Sequence, residues 1–303
     1  MAFTAQDVKT LREMTGCGMM DCKNALNETD GNMDKAVEFL REKGLATAAK
    51  KAGRIAAEGM VNAAIYGNIG VALEVNSETD FVAKNPQFQA FVEAASKAVA
   101  DANPADVDAL LAAKLSDTQT VGEALVEKIS TIGENMNVRR FARYEGANSF
   151  YVHGGGRIAI LVNYKLGDDS KADSDAFRQF GKDVAMQISV MMPKFVNRDE
   201  ISTGELEKEK EILRAKATNE GKPAEIIEKM LLGQVQKFYK EICLIDQEYI
   251  KDDKMTIGQL LKNTEKEIGT TIEIVKFTRY EKGEGLEKKE DDFAAEIAKM
   301  TSK

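Results

Sequence analysis

An internal duplication constrains this fold more than any other feature of the sequence. Residues 120–146 align without a gap on residues 256–282, with nine of 27 positions identical: Thr120/Thr256, Gly122/Gly258, Leu125/Leu261, Ile132/Ile268, Gly133/Gly269, Phe141/Phe277 and Arg143-Tyr144-Glu145/Arg279-Tyr280-Glu281. Upstream, at an offset of 87, Ile65-Tyr66-Gly67 falls on Val152-His153-Gly154, and residues 71–76 fall on 158–163, each reading as a hairpin. At an offset of 89, Phe88, Phe91 and Pro104 fall on Phe177, Phe180 and Pro193 along a helical stretch. Each unit therefore reads as strand, turn, strand, helix, helix, strand, which predicts an α+β fold with a duplicated core and antiparallel sheets. The units are expected at 58–146 and 147–282. The jump in offset from 89 to 136 leaves about 47 additional residues in the second unit. These read as a helical hairpin at about 197–245: a charged helix over 205–219, a break at Gly221-Lys222-Pro223, and a second helix carrying Ile226, Ile227, Met230, Leu231 and Phe238. Such a hairpin protrudes unless its apolar stripe finds a partner.

Residues 1–45 read as a minimal bundle of three helices. Thr4 caps the first, with Val8, Leu11 and Met14 on one face; the second runs from about Met20 to Glu28; the third carries Met33, Ala36, Val37 and Leu40 and is expected to end at Gly44. Residues 46–57, rich in Ala, Lys and Gly, read as a solvated linker with helical potential. After Lys282, two glycines lead to a C-terminal helical module over 283–303, with Phe293, Ile297 and Met300 at helical spacing.

Composition narrows the chemistry. Forty-two basic against 50 acidic side chains give a net charge of −8, so direct nucleic acid binding is not expected and a protein partner is. A single histidine, His153, rules out metal sites that need two imidazoles, and no metal or cofactor is expected. The chain lacks a phosphate-binding P-loop string, so any nucleotide chemistry lies in a partner. Acidic pairs such as Asp168-Asp169 and Asp252-Asp253 read as solvated loops. No apolar run long enough to span a membrane occurs, residues 1–7 show neither the basic nor the apolar region expected of a secretory signal, and Cys17, Cys22 and Cys243 form no C-x-x-C pair. A cytoplasmic protein without a disulfide is the expectation.

Two strings carry a more specific message. Leu11-Arg12-Glu13-Met14-Thr15-Gly16-Cys17-Gly18-Met19-Met20-Asp21-Cys22-Lys23-Asn24-Ala25-Leu26 and Glu74-Val75-Asn76-Ser77-Glu78-Thr79-Asp80-Phe81-Val82-Ala83-Lys84-Asn85 closely resemble the two signature regions of the bacterial elongation factor Ts family. The order of parts resembles it too: a ubiquitin-associated-like bundle, a duplicated core, an inserted coiled-coil hairpin and a C-terminal helix. The resemblance implies guanine nucleotide exchange on elongation factor Tu in translation elongation, without bond-making chemistry. It implies that Thr79, Asp80, Phe81 and Val82 enter the partner's GTPase domain and help dislodge Mg²⁺, with Phe81 as a wedge. It further implies that Arg12, Met19 and Met20 contact the same domain, and that His153 contacts another. The residues alone leave alternatives open: Phe81 and Val82 could staple the following helix to the core, Asp80 could be a helix N-cap, one methionine could be bundle core, and His153 could be a plain turn residue. Ala159 stands where the resemblance leads one to expect glycine. A second copy of the chain is a further candidate partner through the hairpin. The competing class is an adaptor that binds partners through bundle and hairpin without exchange activity.

Overall fold

The computed structural model describes residues 3–287. Three helices come first: α1 (Ala5–Thr15), α2 (Met19–Glu28) and α3 (Met33–Lys51). Val8, Leu11, Cys22, Ala25, Leu26, Ala36 and Leu40 form their shared core. Thr4 and Asp7 make a reciprocal capping box at the start of α1, and Gly16 closes it in the left-handed conformation at φ 65°. Two expectations are corrected. Met14 is 60 % exposed rather than part of the apolar face. The third helix does not end at Gly44 but continues to Lys51, with Gly44 buried where α3 packs against Val126 and Ser130. Residues 46–57 are accordingly helical in their first half, and Ala56 and Ala57 are buried.

The first core unit contains β1 (Glu58–Tyr66), β2 (Ile69–Ser77), α4 (Asp80–Ala83), α5 (Pro86–Ala102), α6 (Val107–Ala112), α7 (Val121–Ile132) and β3 (Met136–Glu145). The second contains β4 (Ala147–His153), β5 (Ile158–Leu166), α8 (Asp175–Met191), α9 (Thr203–Asn219), α10 (Ala224–Ile242), β6 (Glu248–Tyr249), β7 (Asp252–Thr256), α11 (Ile257–Ile268) and β8 (Ile272–Glu281). The expected C-terminal helix with Phe293, Ile297 and Met300 lies outside the described residues.

Each unit builds a three-stranded antiparallel sheet, in the orders β1-β2-β3 and β4-β5-β8. One face of each sheet is covered by its own helices, and the other faces meet across Val61, Ala63, Ala72, Ala159 and Leu161. The layers run helix, sheet, sheet, helix, an α+β arrangement. The central strands have no free face: every residue of β2 from Gly70 to Ser77 is buried. Val71, Leu73 and Val75 turn toward the helices, while Ala72 turns toward the opposite sheet. That is why these strands read as near-continuous apolar runs rather than alternating ones.

Strand pairing confirms the duplication and corrects its register. Leu73 pairs with Phe141, and Val162 with Phe277, so β2 maps onto β5 at an offset of 89 rather than 87. The offset of 87 holds for β1 and β4 alone, because two residues separate Tyr66 from Ile69 and four separate His153 from Ile158. A two-residue slip keeps each side chain on the same face, so the apolar pattern cannot report it. Helix ends repeat too. Thr120 and Thr256 both form capping boxes, Gly133 and Gly269 both end helices in the left-handed region, and Asn103 and Met192 end α5 and α8 at φ 47°.

The inserted residues form α9 and α10, packed on each other through Leu213, Ala217, Ile227 and Leu231. Their apolar stripe is thus largely spent within the pair. Leu232, 74 % exposed, lies outside it.

Candidate functional site

The second signature string leaves the buried strand β2 and enters a short turn tied down from both sides. The Ser77 hydroxyl donates to the Thr79 carbonyl at 2.9 Å. The Thr79 amide and hydroxyl donate to the two carboxylate oxygens of Glu134, at 3.0 and 2.7 Å. The Asn135 amide donates in the reverse direction to Glu78 Oε1 at 2.6 Å, and Arg54 Nη1 lies 3.4 Å from the same oxygen. Asn135 is itself buried and donates from Nδ2 to the Arg54 carbonyl at 2.8 Å. The turn after β2, the turn before β3 and the segment after α3 therefore share one hydrogen-bonded junction.

From that base α4 makes a single helical turn. Thr79, not Asp80, is its N-cap residue, and the Thr79 side chain makes no bond to the helix. Val82 points inward, 4 % exposed, into the core with Phe88 and Phe91. Phe81 points outward and is 76 % exposed, the most exposed of the large apolar side chains described. The two residues divide what the sequence left joined: Val82 staples the turn to the core, and Phe81 does not. Asp80 is exposed beside Phe81, 3.5 Å from Lys84 Nζ, which also lies 5.8 Å from the Phe81 ring centre. Pro86 at the first turn of α5 and the Asn85 side chain on Gln87 N fix the far end.

Arg12, Met19 and Met20 lie around the α1–α2 junction, and all three are exposed. Neither methionine joins the bundle core: Met19 is 57 % and Met20 64 % exposed, while Cys22, Ala25 and Leu26 of the same helix face inward. Met14 adds a third exposed methionine to this small bundle. Thioether side chains on such a surface adapt to a partner of irregular shape.

The bundle connects to the Phe81 turn through α3 and α7. Arg41 pairs with Glu123, Lys51 donates to the Gly133 carbonyl, and Gly133 precedes Glu134 and Asn135. His153 sits apart from this junction, exposed at the end of β4, with Nδ1 3.1 Å from the Tyr151 hydroxyl. The glycine turn that follows is built in: Gly156, at φ 96°, accepts at its carbonyl from Val61 N, and a Cβ there would lie 2.9 Å from Met60 Cβ.

Sequence reasoning missed Glu134, Glu78 and Asn135. Their contacts bridge 24 to 81 positions and carry no local pattern. Among the described residues, no cluster of three or more His, Cys, Asp or Glu is arranged to hold a metal ion, and no helix is long and apolar enough to cross a membrane.

The family model described as Elongation factor TS matches residues 78–284, a span that starts at the Glu78 end of this junction. The chain belongs to the elongation factor Ts family. It is 50% identical to "Elongation factor Ts" of Clostridium perfringens (strain SM101 / Type A) over 306 residues, covering 99% of this chain and 100% of that relative. The protein of the same name from Syntrophotalea carbinolica is 48% identical over 305 residues, with 99% and 100% covered. That from Clostridium novyi (strain NT) is 51% identical over 304 residues, with 98% of each covered. Membership of the elongation factor Ts family places the chain among the elongation factors of protein biosynthesis.

Proposed function

We propose that this protein is a guanine nucleotide exchange factor for elongation factor Tu, promoting GDP release by binding energy rather than bond chemistry. Family membership supports the partner, and the observation that carries the mechanism is Phe81. A large ring held in water on a turn whose base is fixed costs solvation free energy unless a partner covers it. Covering it contributes about 1.5 to 3 kcal/mol. In this reading the 79–82 turn enters the GTPase domain near the nucleotide, Phe81 separates elements that ligate Mg²⁺ and phosphate, and Asp80 brings a negative charge beside it. Val82 acts from within, holding the turn to the core.

Exchange is a linkage effect. A protein that lowers the partner's affinity for GDP by some factor loses affinity for the GDP-bound partner by the same factor. Each tenfold of preference for the nucleotide-free form needs about 1.4 kcal/mol of differential contact. Phe81 supplies differential contact; Arg12, Met19 and Met20 on the bundle, and His153 on the second unit, supply grip. The test is release of a fluorescent GDP analogue from elongation factor Tu with and without excess protein. Acceleration is the expected result, and release at the unassisted rate would replace this reading with the adaptor.

A further inference from the structure

The Thr79–Glu134 contact is unusual for a helix start. An N-cap threonine ordinarily accepts a bond from the second or third amide of its helix. Here the hydroxyl is turned away from α4 and donates, together with the Thr79 amide, to the two Glu134 oxygens. A helix of four residues cannot stabilise itself, so the orientation of α4 depends on what holds its ends. Two bonds to one carboxylate are charge-assisted and fix direction as well as distance.

The second unit provides an internal control. At the offset of 89, Asp168-Asp169-Ser170-Lys171 stand where Thr79-Asp80-Phe81-Val82 stand in the first unit, and Asp168, like Thr79, is an N-cap residue. At the offset of 136, Thr270-Thr271 replace Glu134-Asn135. The Asp168 side chain accepts from Ser170 N at 3.0 Å, capping its own short helix. Of the two copies, the one that presents a phenylalanine has the carboxylate clamp, and the one that presents a serine has none.

We infer that Glu134 is a positioning residue for nucleotide release, holding the base of α4 so that Phe81 meets the partner in one fixed orientation. This rests on the exchange reading above. A wedge acts only if its base does not yield; when the base is loose, binding free energy orders the turn instead of displacing the nucleotide.

The chain contains no tryptophan, so Phe81→Trp creates a single fluorescent reporter on the turn. In the free protein, adding Glu134→Ala to Phe81→Trp is expected to lower the indole's anisotropy. In the Phe81 background, Glu134→Ala is expected to slow GDP release at saturating protein about tenfold, with the half-saturating concentration changed less than about threefold. Glu134→Gln can accept from the Thr79 amide and donate to its hydroxyl, and is expected to stay within about twofold of wild type. Glu134→Met, similar in bulk but accepting no strong bond, replaces the alanine variant if that variant does not fold. Unchanged anisotropy, or unchanged maximal release with Glu134→Ala or Glu134→Met while wild type is active, overturns the inference alone. Wild type that fails to accelerate release overturns the exchange reading and this inference with it.

Discussion

The Arg140 guanidinium lies 4.3 Å from the centre of the Tyr280 ring. The duplication returns the arrangement, with Lys276 Nζ 4.4 Å from the Tyr144 ring centre, so each unit lays a cation over the other's equivalent tyrosine. The pairs differ in what else they hold. Arg140 Nε also donates to the fully buried Glu74 at 2.6 Å, whereas Lys276 is exposed. Lys276→Ala should therefore lower stability by about 0.5 to 1 kcal/mol. Arg140→Ala, which strips a partner from a buried carboxylate, should lower it by about 2 to 4 kcal/mol, both read from urea unfolding.

Glu74 predicts a pH dependence. Burial pushes its carboxyl up, but bonds from Gly283 N, Asn76 and Arg140 outweigh that and leave it below the usual carboxylate range. A β-bulge opposite Glu74 and Val75 lets the consecutive Arg139 and Arg140 both reach this side chain. With the folded pKa depressed, the contribution to stability is full above the unfolded carboxyl's pKa and is lost as pH falls through the lower folded value. Unfolding followed from pH 7 down to about pH 3 should show a shallower acid limb in Glu74→Gln than in wild type. Parallel limbs would count against Glu74 as a source of the slope.

Phe81 and Val82 are neighbours with opposite predicted behaviour. Phe81→Ala should change stability by less than about 0.5 kcal/mol, because the ring is in water, yet slow GDP release from elongation factor Tu more than it weakens the complex. Val82→Ala leaves a cavity beside Phe88 and should lower stability by about 1 to 3 kcal/mol. Thermal unfolding and stopped-flow release on the same two preparations separate the effects.

Met20→Ala should act on grip. Its side chain is exposed, so unfolding should not move, while titration against nucleotide-free elongation factor Tu should show affinity weakened by about 1 kcal/mol. A loss in maximal release rate as large as the loss in affinity would place Met20 with Phe81 rather than with the bundle's holding surface.

The sequence revealed the α+β class, the duplication and the existence of most elements, because apolar period, capping residues and glycine stops are local signals. Thr120 and Gly133 mark both ends of α7, and their copies mark α11. What escaped it depends on contacts distant in sequence. Gly44 reads as a stop and is instead a packing position against α7. The β2–β5 register slipped by two because period-two patterns are blind to such a shift. Glu134 looks like any exposed acid until it is compared with Thr270. The exposure of Phe81 could not be read from a string in which Val82, next to it, is core.

Because β2 has neighbours on both faces and both edges, the 79–82 turn is mounted on a strand with little room to bend. Pushing Phe81 back would require displacing a sheet, a helical layer and a second sheet together. Interiors packed at crystal-like density have low compressibility and pass strain onward rather than absorbing it. Under the exchange reading proposed above, a load applied at Phe81 passes into this packed stack instead of being taken up by bending of β2.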